Sequence, residues 1–281
     1  MPEVKHRAHA TDGNDEQLPI DDKNSDPAFV AYYEKTSVSP GAEERFRVVR
    51  DKMLRLREEL GRNAGSLSVL NVGCGAGTEC QIWAERGHTV TGIDISEPLV
   101  QLARKRALEK EFDIRFDVGS ALALPYPSNS FDVCLVPQLL EHVPDWRKCL
   151  DEAIRILRSG GLLFVTTTNV LCPIQNEFTL PLYSWYPNFV KRKCERLSVT
   201  THREWVSHAA YPAVHWFTFW QLRDFLTKKG LTCFDRFDLA EADAMSASRR
   251  VAFRLIRRFP PLRVAAYVLV AGTIVVGAKP P

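Results

Sequence analysis

The stretch VLNVGCGAGTEC, residues 69–80, places glycines at every second position directly after an apolar run. The run VLNV is typical of a buried parallel strand, and the following TECQIWAERG is typical of a helix. Gly73, Gly75 and Gly77 therefore lie in a strand-to-helix turn, where glycine adopts positive φ and lets a ligand approach the main chain. Unpaired N–H groups at the helix start add hydrogen-bond donors. The pattern predicts a binding loop, although a tight structural turn would use the same residues.

The segment that follows favours the binding loop. The loop reads G-x-G-x-G, one residue shorter than the dinucleotide fingerprint G-x-G-x-x-G. Residues 89–94, TVTGID, form a second apolar strand that ends in Asp94. A carboxylate at this place reaches ribose hydroxyls in nucleoside sites, whereas the alternative is an acid that only forms the turn at the strand end. Loop, helix, strand and terminal acid together predict a nucleoside-binding unit.

Helices and strands alternate along most of the chain. Helices are predicted at 42–60, 78–86, 97–109, 145–158 and 217–229, and strands at 69–72, 89–94, 113–118, 131–136, 161–168 and 231–238. This alternation indicates an α/β fold with a doubly wound, mostly parallel sheet, helices on both faces and ligands at the carboxyl ends of the strands. The first helix, 42–60, is expected to cover the ligand as a lid.

Composition limits the class of protein. With 281 residues the chain can form one large domain, predicted over 27–281, and its net charge of +3 is too weak to indicate a nucleic-acid partner. The seven cysteines show no C-x-x-C spacing and are expected to be reduced thiols. Residues 1–26 are polar and lack the apolar core of a secretion signal, so a disordered tail on a cytoplasmic protein is expected.

The last apolar run is VAAYVLVAGTIVVGA, residues 264–278. At about 15 residues it is shorter than the ~20 that a membrane-spanning helix needs. Its β-branched residues and its internal glycine favour a strand.

Five blocks carry a resemblance to a known family. In order they read VLNVGCGAG, VTGIDIS, LALPYPSNSFDVC, LLEHVPD and LRSGGLLFVTTTN, between residues 69 and 168. They resemble the class I S-adenosylmethionine-dependent methyltransferases, in the methyltransferase-domain group that includes the ubiquinone-biosynthesis O-methyltransferases. The resemblance implies a Rossmann-like fold with a seven-stranded sheet, a last antiparallel strand at TIVVGAK (273–279), and S-adenosylmethionine as the cofactor.

The resemblance also implies the cofactor-binding residues. They are Gly73, Cys74, Gly75, Gly77, Asp94, Ile95, Ser120, Ala121 and Gln138. The main chain of the glycine loop would contact the methionyl part of the cofactor, and Asp94 would accept hydrogen bonds from the ribose hydroxyls. Ile95 would pack on the adenine ring unless it is an ordinary core residue. Ser120 stands where the family usually has an acid that accepts from the adenine amino group, so this hydrogen bond is expected to be weaker, and adenine binding would rely on the Ala121 N–H instead.

The sequence VPQLLEHVPD, which ends the fourth strand, suggests the chemistry. Gln138 would lie near the sulfonium, or it is a solvated loop residue. The related O-methyltransferases use E-x-x-E-H for metal binding, but this chain has Q-x-x-E-H, formed by Gln138, Glu141 and His142. Because Mg²⁺ favours carboxylates, no required metal is predicted. His142 is the candidate catalytic base, although it could merely cap the loop; His202, His208 and His215 are reserves.

Two further segments bear on the acceptor. Residues 170–216, here called the insertion, are rich in aromatic residues such as Trp185, Tyr186 and Phe189, and are expected to form a substrate cap for an apolar or aromatic acceptor, an accessory core, or both. Residues 248–264 interleave arginines with apolar residues, a pattern that fits either peripheral contact with an anionic membrane or a solvated helix against the sheet.

The sequence thus predicts a methyltransferase that acts on a small or lipid-like acceptor at a hydroxyl oxygen. C- or N-methylation of a small molecule is the alternative among enzymes. A non-catalytic protein that binds an adenosyl ligand and regulates a partner is the alternative outside them. Neither the acceptor nor the oligomeric state follows from the sequence.

Overall fold

A computed structural model describes residues 27–62, 65–175, 177–206, 213–240 and 246–281. The tail predicted to be disordered, residues 1–26, lies outside the described residues, and so does His208. All seven cysteines are free thiols, and most of them are buried.

A seven-stranded sheet forms the centre of the molecule. Its strands are β1 (Ser68–Val72), β2 (Thr89–Asp94), β3 (Ile114–Val118), β4 (Phe131–Pro137), β5 (Leu157–Thr168), β6 (Thr232–Asp235) and β7 (Gly272–Ala278). The strand order is β3-β2-β1-β4-β5-β7-β6, and β7 runs antiparallel to both of its neighbours. The predicted mostly parallel, doubly wound α/β fold and its antiparallel last strand are confirmed.

Nine helices occur in the described part of the chain. They are α1 (Pro27–Thr36), α2 (Pro40–Glu59), α3 (Thr78–Ala84), α4 (Glu97–Glu109), α5 (Trp146–Ile156), α6 (Asn188–Thr200), α7 (Phe219–Lys228), α8 (Ala247–Arg258) and α9 (Pro260–Val268). Local sequence sets several of their starts. The Asp145 side chain accepts from the Lys148 N–H at the start of α5, and Thr218 accepts from Gln221 at the start of α7, as N-cap residues do.

The sheet is covered on both faces, which explains its nearly continuous apolar strands. Successive residues of β1 point to opposite faces: Val69 packs with α2, α3 and α4, and Leu70 packs with α5, α7, α8 and α9. Trp83 on one face and Leu150 on the other are completely buried. Both faces thus hold the sheet rigid, so that the carboxyl ends of its parallel strands form a fixed platform.

Two predictions about elements are wrong. The run 264–278 is not one strand, because its first part continues α9, and only Gly272 onward forms β7. The reason is packing: Tyr267 on α9 is fully buried and its hydroxyl donates to Asp235 at 2.8 Å. The helix predicted as a lid, α2, instead packs Met53 and Leu56 into the core against the sheet.

Candidate functional site

The glycine loop after β1 is held in a single conformation by its backbone. Gly73, Gly75 and Gly77 have φ values of +75°, +50° and +78°. The N–H groups of Gly73 and Cys74 both donate to the Ile93 carbonyl, at 2.8 and 3.1 Å. At Gly77 a Cβ would lie 2.8 Å from the Ala103 Cβ, so this glycine is required by packing as well as by φ. The loop therefore turns tightly into α3, with Gly73 half-buried and Gly75 and Gly77 buried.

Asp94 at the end of β2 is tied directly to this loop. Its Oδ2 accepts a hydrogen bond from the Gly75 N–H at 2.8 Å, and its Oδ1 accepts from the Ser96 N–H at 2.9 Å. Each carboxylate oxygen keeps a further lone pair for hydroxyl donors. Burial raises the pKa of Asp94, while the backbone hydrogen bonds oppose that rise. The structure thus brings the predicted loop and the predicted ribose-binding acid together.

Beside Asp94 the surface is apolar. Ile95 is 46% exposed and Val118, at the end of β3, is 41% exposed, so Ile95 is not the ordinary core residue that the sequence also allowed. The Ser120 hydroxyl oxygen accepts from the Leu122 N–H at 3.2 Å and retains its own hydrogen as a donor. The Ala121 N–H has no hydrogen-bond partner in the part of the chain that the structure describes. An apolar face with nearby backbone donors fits an adenine ring.

The helix that approaches the loop is α1, which the sequence reasoning missed. A Cβ on Gly75 would lie 3.6 Å from the Tyr33 ring. Arg106 on α4 anchors α1 by donating to the Glu34 carbonyl and, at 2.9 Å, to the Ser37 hydroxyl. Only the aromatic residues of the short segment AFVAYY hinted at this role. Tyr33 therefore takes the covering position that had been expected of α2.

Gln138 lies at the next strand end and faces a cavity. Its φ is +47°, which is unusual for a residue other than glycine, and its N–H donates to the Thr166 carbonyl at 2.8 Å. A cavity of about 220 Å³ opens beside it, lined by Gln138, Thr168, Gln175, Glu177, Trp216, Ala271 and Gly272. The side chain of Gln138 therefore lines a cavity, which favours the site role over a merely solvated loop residue.

Glu141 and His142 differ from one another in their surroundings. Glu141 is completely buried, its Oε2 accepts from the Thr167 hydroxyl at 2.6 Å, and burial raises its pKa to about 8. Its carbonyl accepts from the Val214 N–H at 2.8 Å, which ties the end of the insertion to β4. The His142 residue is exposed, but desolvation by the surrounding protein lowers the pKa of its imidazole to about 4. Its ring makes no hydrogen bond within the described ranges, so nothing there supports the loop-cap alternative.

The residues around Gln138 form no evident metal centre. Among the described residues, no group of three or more His, Cys, Asp or Glu side chains is arranged to hold a metal ion. Gln138 contributes an amide where a carboxylate would be needed, and one oxygen of Glu141 is engaged by Thr167. Metal independence remains a prediction.

The insertion has two parts with different roles. Tyr183 is fully buried and stacks on Phe178 at 3.9 Å between ring centroids, which makes the predicted accessory core. Trp185 and Phe189, expected to contact the acceptor, are 55% and 72% exposed and do not line the cavity beside Gln138; their contact with an acceptor remains a prediction. Of the aromatic residues in the described part of the insertion, only Trp216 lines the cavity beside Gln138.

The two reserve histidines that the structure describes have different surroundings. His202 is exposed and pairs with Glu204 at 2.9 Å. The Nε2 of His215 is buried with no partner in the described structure, and burial lowers the pKa of this histidine.

Comparison with known proteins connects this geometry to a family. Residues 70–165 match the family described as a methyltransferase domain. The ubiquinone biosynthesis O-methyltransferase of Coxiella burnetii is 35% identical over 101 residues, which is 36% of this chain and 43% of that protein. The enzyme of the same name from Idiomarina loihiensis is 40% identical over 103 residues, 36% of this chain and 42% of that protein. The chain thus spans less than half the length of these relatives.

A solved structure shares the fold. The S-adenosylmethionine-dependent methyltransferase from Mesorhizobium loti aligns with a TM-score of 0.51 at 18% identity, over 81% of this chain and 98% of that one. This likeness concerns the arrangement of helices and strands alone. The resemblance predicted from the five sequence blocks is confirmed: residues 70–165 match a methyltransferase domain, and relatives matched over about a third of this chain are named as ubiquinone biosynthesis O-methyltransferases.

Proposed function

We propose that the chain transfers a methyl group from S-adenosylmethionine to a hydroxyl oxygen of a small or lipid-like acceptor. The observation that carries this proposal is the bond of Asp94 to the Gly75 N–H, which joins a carboxylate to a bare glycine loop at the carboxyl ends of β1 and β2. Relatives named as O-methyltransferases, matched over about a third of this chain, support oxygen as the atom that is methylated.

The residues present fit the cofactor. The main chain of Gly73, Cys74 and Gly75 would contact its methionyl part, and the free lone pairs of Asp94 would accept from the ribose hydroxyls. The exposed side chain of Ile95 would cover one adenine face, with the Ser120 hydroxyl and the Ala121 N–H beside its polar edge. When bound, the cofactor supplies a methyl group on a positively charged sulfur that leaves as a neutral thioether.

Alignment of the acceptor is the main task that remains for the protein, and it can lower the barrier by ~7 kcal/mol or more. Gln138 would line the place of reaction, since it follows β4 and borders the cavity. A hydroxyl acceptor must also lose its proton. His142 is the base that the sequence suggests, and its lowered pKa of about 4 keeps the ring neutral, and so able to accept a proton, near pH 7.

We further propose that α8 and α9 touch an anionic membrane. Phe253 on α8 is buried toward the core, whereas Val251 and Leu255, on the opposite side of the helix, are 57% and 45% exposed. The exposed Arg254 and Arg258 flank this outer apolar face. Apolar residues that point outward beside arginines suit the boundary between head groups and acyl chains. In the ranges that the structure describes, no helix is long and apolar enough to cross a bilayer.

The first test is a calorimetric titration with S-adenosylmethionine, S-adenosylhomocysteine and NAD. Micromolar binding of the first two and none of NAD is expected. Transfer of labelled methyl groups is then screened over phenols, quinol precursors and hydroxylated lipids, with and without EDTA.

Turnover that persists with EDTA supports the proposal and its metal independence; restoration by Mg²⁺ after loss would show that Glu141 and His142 bind metal after all. Turnover of amines or carbon acids alone would favour the N- or C-methyltransferase alternatives. Cofactor binding without any turnover would favour the regulatory protein.

A further inference from the structure

The loop that carries Glu177 is fixed by the side chain of Gln175. The Gln175 Oε1 accepts from the N–H groups of Glu177 and Phe178, at 2.7 and 2.8 Å, and its Nε2 donates to the Phe178 carbonyl at 2.6 Å. Phe178 is itself buried and stacked on Tyr183. Both the oxygen and the nitrogen of the Gln175 amide therefore bond the backbone of the turn. The turn holds Glu177 in a fixed position beside the cavity.

Within the described residues, Glu177 is the only ionisable side chain that lines this cavity, and its carboxylate has no hydrogen bond or ion pair there. Burial raises its pKa. The charge of Glu177 adds to the rise in the pKa of Glu141, and the Lys191 ammonium lies 4.9 Å from the ring centroid of Trp216, another lining residue. A carboxylate that is partly desolvated and unpaired costs free energy unless a donor reaches it.

Two further polar groups without partners in the described part of the chain belong to residues of the wall. They are the side-chain amide of Gln138, at the carboxyl end of β4, and the buried Nε1 of Trp216. The cavity thus combines a hydrogen-bond acceptor with a negative charge, an amide and one aromatic ring, Trp216. This combination matches an acceptor whose reacting end is a hydroxyl and whose body is flat or apolar.

We propose that Glu177 binds the hydroxyl of the methyl acceptor and takes its proton during transfer, in place of His142. The assignment rests on the proposed function, and it deepens it by naming a hydroxyl-bearing acceptor and its binding group. His142, in contrast, is not among the residues that line the cavity.

In this step the acceptor oxygen forms a bond to the methyl carbon as the carbon–sulfur bond breaks. The electron pair of that bond stays on sulfur, which becomes neutral. The hydroxyl proton passes to the Glu177 carboxylate, which becomes a neutral carboxylic acid. The products are a methyl ether, S-adenosylhomocysteine and protonated Glu177, and the last returns its proton to water.

The kinetic test compares Glu177→Gln with His142→Ala and the control Glu204→Gln. Glu204 belongs to the same insertion but is exposed and paired with His202, away from the cavity. The probe is whichever of phenol, catechol or 1-octanol the unmodified protein methylates fastest. We expect kcat to fall about 100-fold for Glu177→Gln and to change less than about threefold for the control Glu204→Gln. The acid limb of the kcat profile should vanish only in Glu177→Gln.

A binding measurement gives a readout that does not depend on turnover. With S-adenosylhomocysteine saturating, the unmodified protein should bind the hydroxyl probe about tenfold or more tightly than the probe's methyl ether, because a hydrogen bond to a charged group is lost in the ether. Glu177→Ala should remove that preference. Affinity for S-adenosylhomocysteine itself should not change in either Glu177 variant, which also verifies folding.

Unchanged kcat and an unmoved acid limb in Glu177→Gln, in an active protein, would overturn the assignment and leave the proposed function intact. Loss of the acid limb in His142→Ala would return the role to His142. If the unmodified protein binds S-adenosylmethionine but methylates none of the hydroxyl probes or of the screened hydroxyl compounds, hydroxyl methylation fails and the role of Glu177 fails with it.

Discussion

Two regions at the carboxyl ends of the parallel strands differ. The cofactor side, at the ends of β1 and β2, presents mainly backbone groups, whereas the acceptor side, at the ends of β4 and β5, presents side chains from distant segments. On the first side, the Asp94 carboxylate and the Ile93 carbonyl fix the glycine loop through its N–H groups. On the second, Glu177 and Trp216 reach the cavity from the insertion. The first side suits the cofactor, which is the same for every acceptor. On the second side, the side chains of the insertion can vary to suit a different acceptor while the sheet stays the same.

The two sides also differ in how their polar groups are satisfied. Both oxygens of Asp94 already accept backbone hydrogen bonds. The Oε1 of Glu141 and the Nε1 of Trp216 are buried without partners among the described residues. Beside the glycine loop the buried atoms without partners belong to neutral side chains, Asn71 Oδ1 and Thr78 Oγ1, so the difference between the two sides lies in their carboxylates.

The largest effect is expected from Gly77→Ala on the cofactor side. The new Cβ would meet Ala103 and Phe116 at 2.8 and 2.9 Å, and φ is +78°. Left-handed strain and overpacking together should lower the free energy of unfolding by about 2–4 kcal/mol. Gly87→Ala is the matched control, since its φ is +75° with nothing within 4 Å of a Cβ, and it should cost only about 1 kcal/mol. Urea unfolding measures both. Equal losses would mean that packing at Gly77 contributes little.

The second effect is on ligand affinity. Asp94→Asn removes the charge that serves both the loop and the ribose, so binding of S-adenosylhomocysteine should weaken about 10- to 100-fold by calorimetry. The control is Asp117→Asn on β3, where the carboxylate bonds the Tyr126 hydroxyl and Arg115. The affinity of the Asp117→Asn variant for S-adenosylhomocysteine should stay within a factor of about three of that of the unmodified protein. An Asp94→Asn protein that binds as well as the unmodified one would show that the glycine loop alone holds the cofactor.

The contrast between the sides explains what the sequence could predict. Gly75 and Asp94 lie 19 residues apart, joined through one βα unit, so spacing alone brings them together. Residues whose positions depend on distant contacts were missed. Asn169 donates to the carbonyls of Tyr267 and Val270, about 100 residues away, and such links decide where α9 ends and which apolar residues form a strand.

Single residues could also be assigned to the wrong surroundings. Trp185 and Phe189 have the composition of a cap, yet they face solvent, while Tyr183 beside them is buried. The local pattern does not separate Tyr183 from Trp185, because both lie in one three-residue 3-10 turn, which is too short for a hydrophobic period to show. Glu177 was overlooked for the same reason: its role depends on the turn made by Gln175.

A smaller effect concerns pH and lies beneath the glycine loop. Glu79, in the first turn of α3, is buried and bonded by the Asn71 amide at 2.9 Å, and burial raises its pKa to about 7. The folded state therefore holds a proton that the unfolded chain releases above its ordinary pKa. The contribution of Glu79 to the free energy of unfolding is therefore fully present at acid pH. It falls by about 1.4 kcal/mol per pH unit as the pH rises from about 5 to 7.

Glu79→Gln should remove this part of the pH dependence while keeping the bond from Asn71. Glu97→Gln is the control, because Glu97 occupies the first turn of α4 but is exposed. Urea unfolding across this pH range should show a flatter slope for Glu79→Gln alone. The same slope in Glu79→Gln and in the unmodified protein would mean that the carboxyl is ionised in the fold.

The smallest effect is expected at the outer face of α8. Each basic residue near an anionic surface contributes about 1 kcal/mol, so Arg254→Gln or Arg258→Gln should each weaken binding to vesicles with anionic lipid about fivefold. Arg257→Gln is the control, because an Asp238 carboxylate oxygen already lies 3.9 Å from its guanidinium. Added salt should weaken binding of the unmodified protein. Co-sedimentation measures all four proteins. Absence of sedimentation by the unmodified protein, or no loss in Arg254→Gln and Arg258→Gln, would leave a protein whose acceptor reaches the cavity from solution.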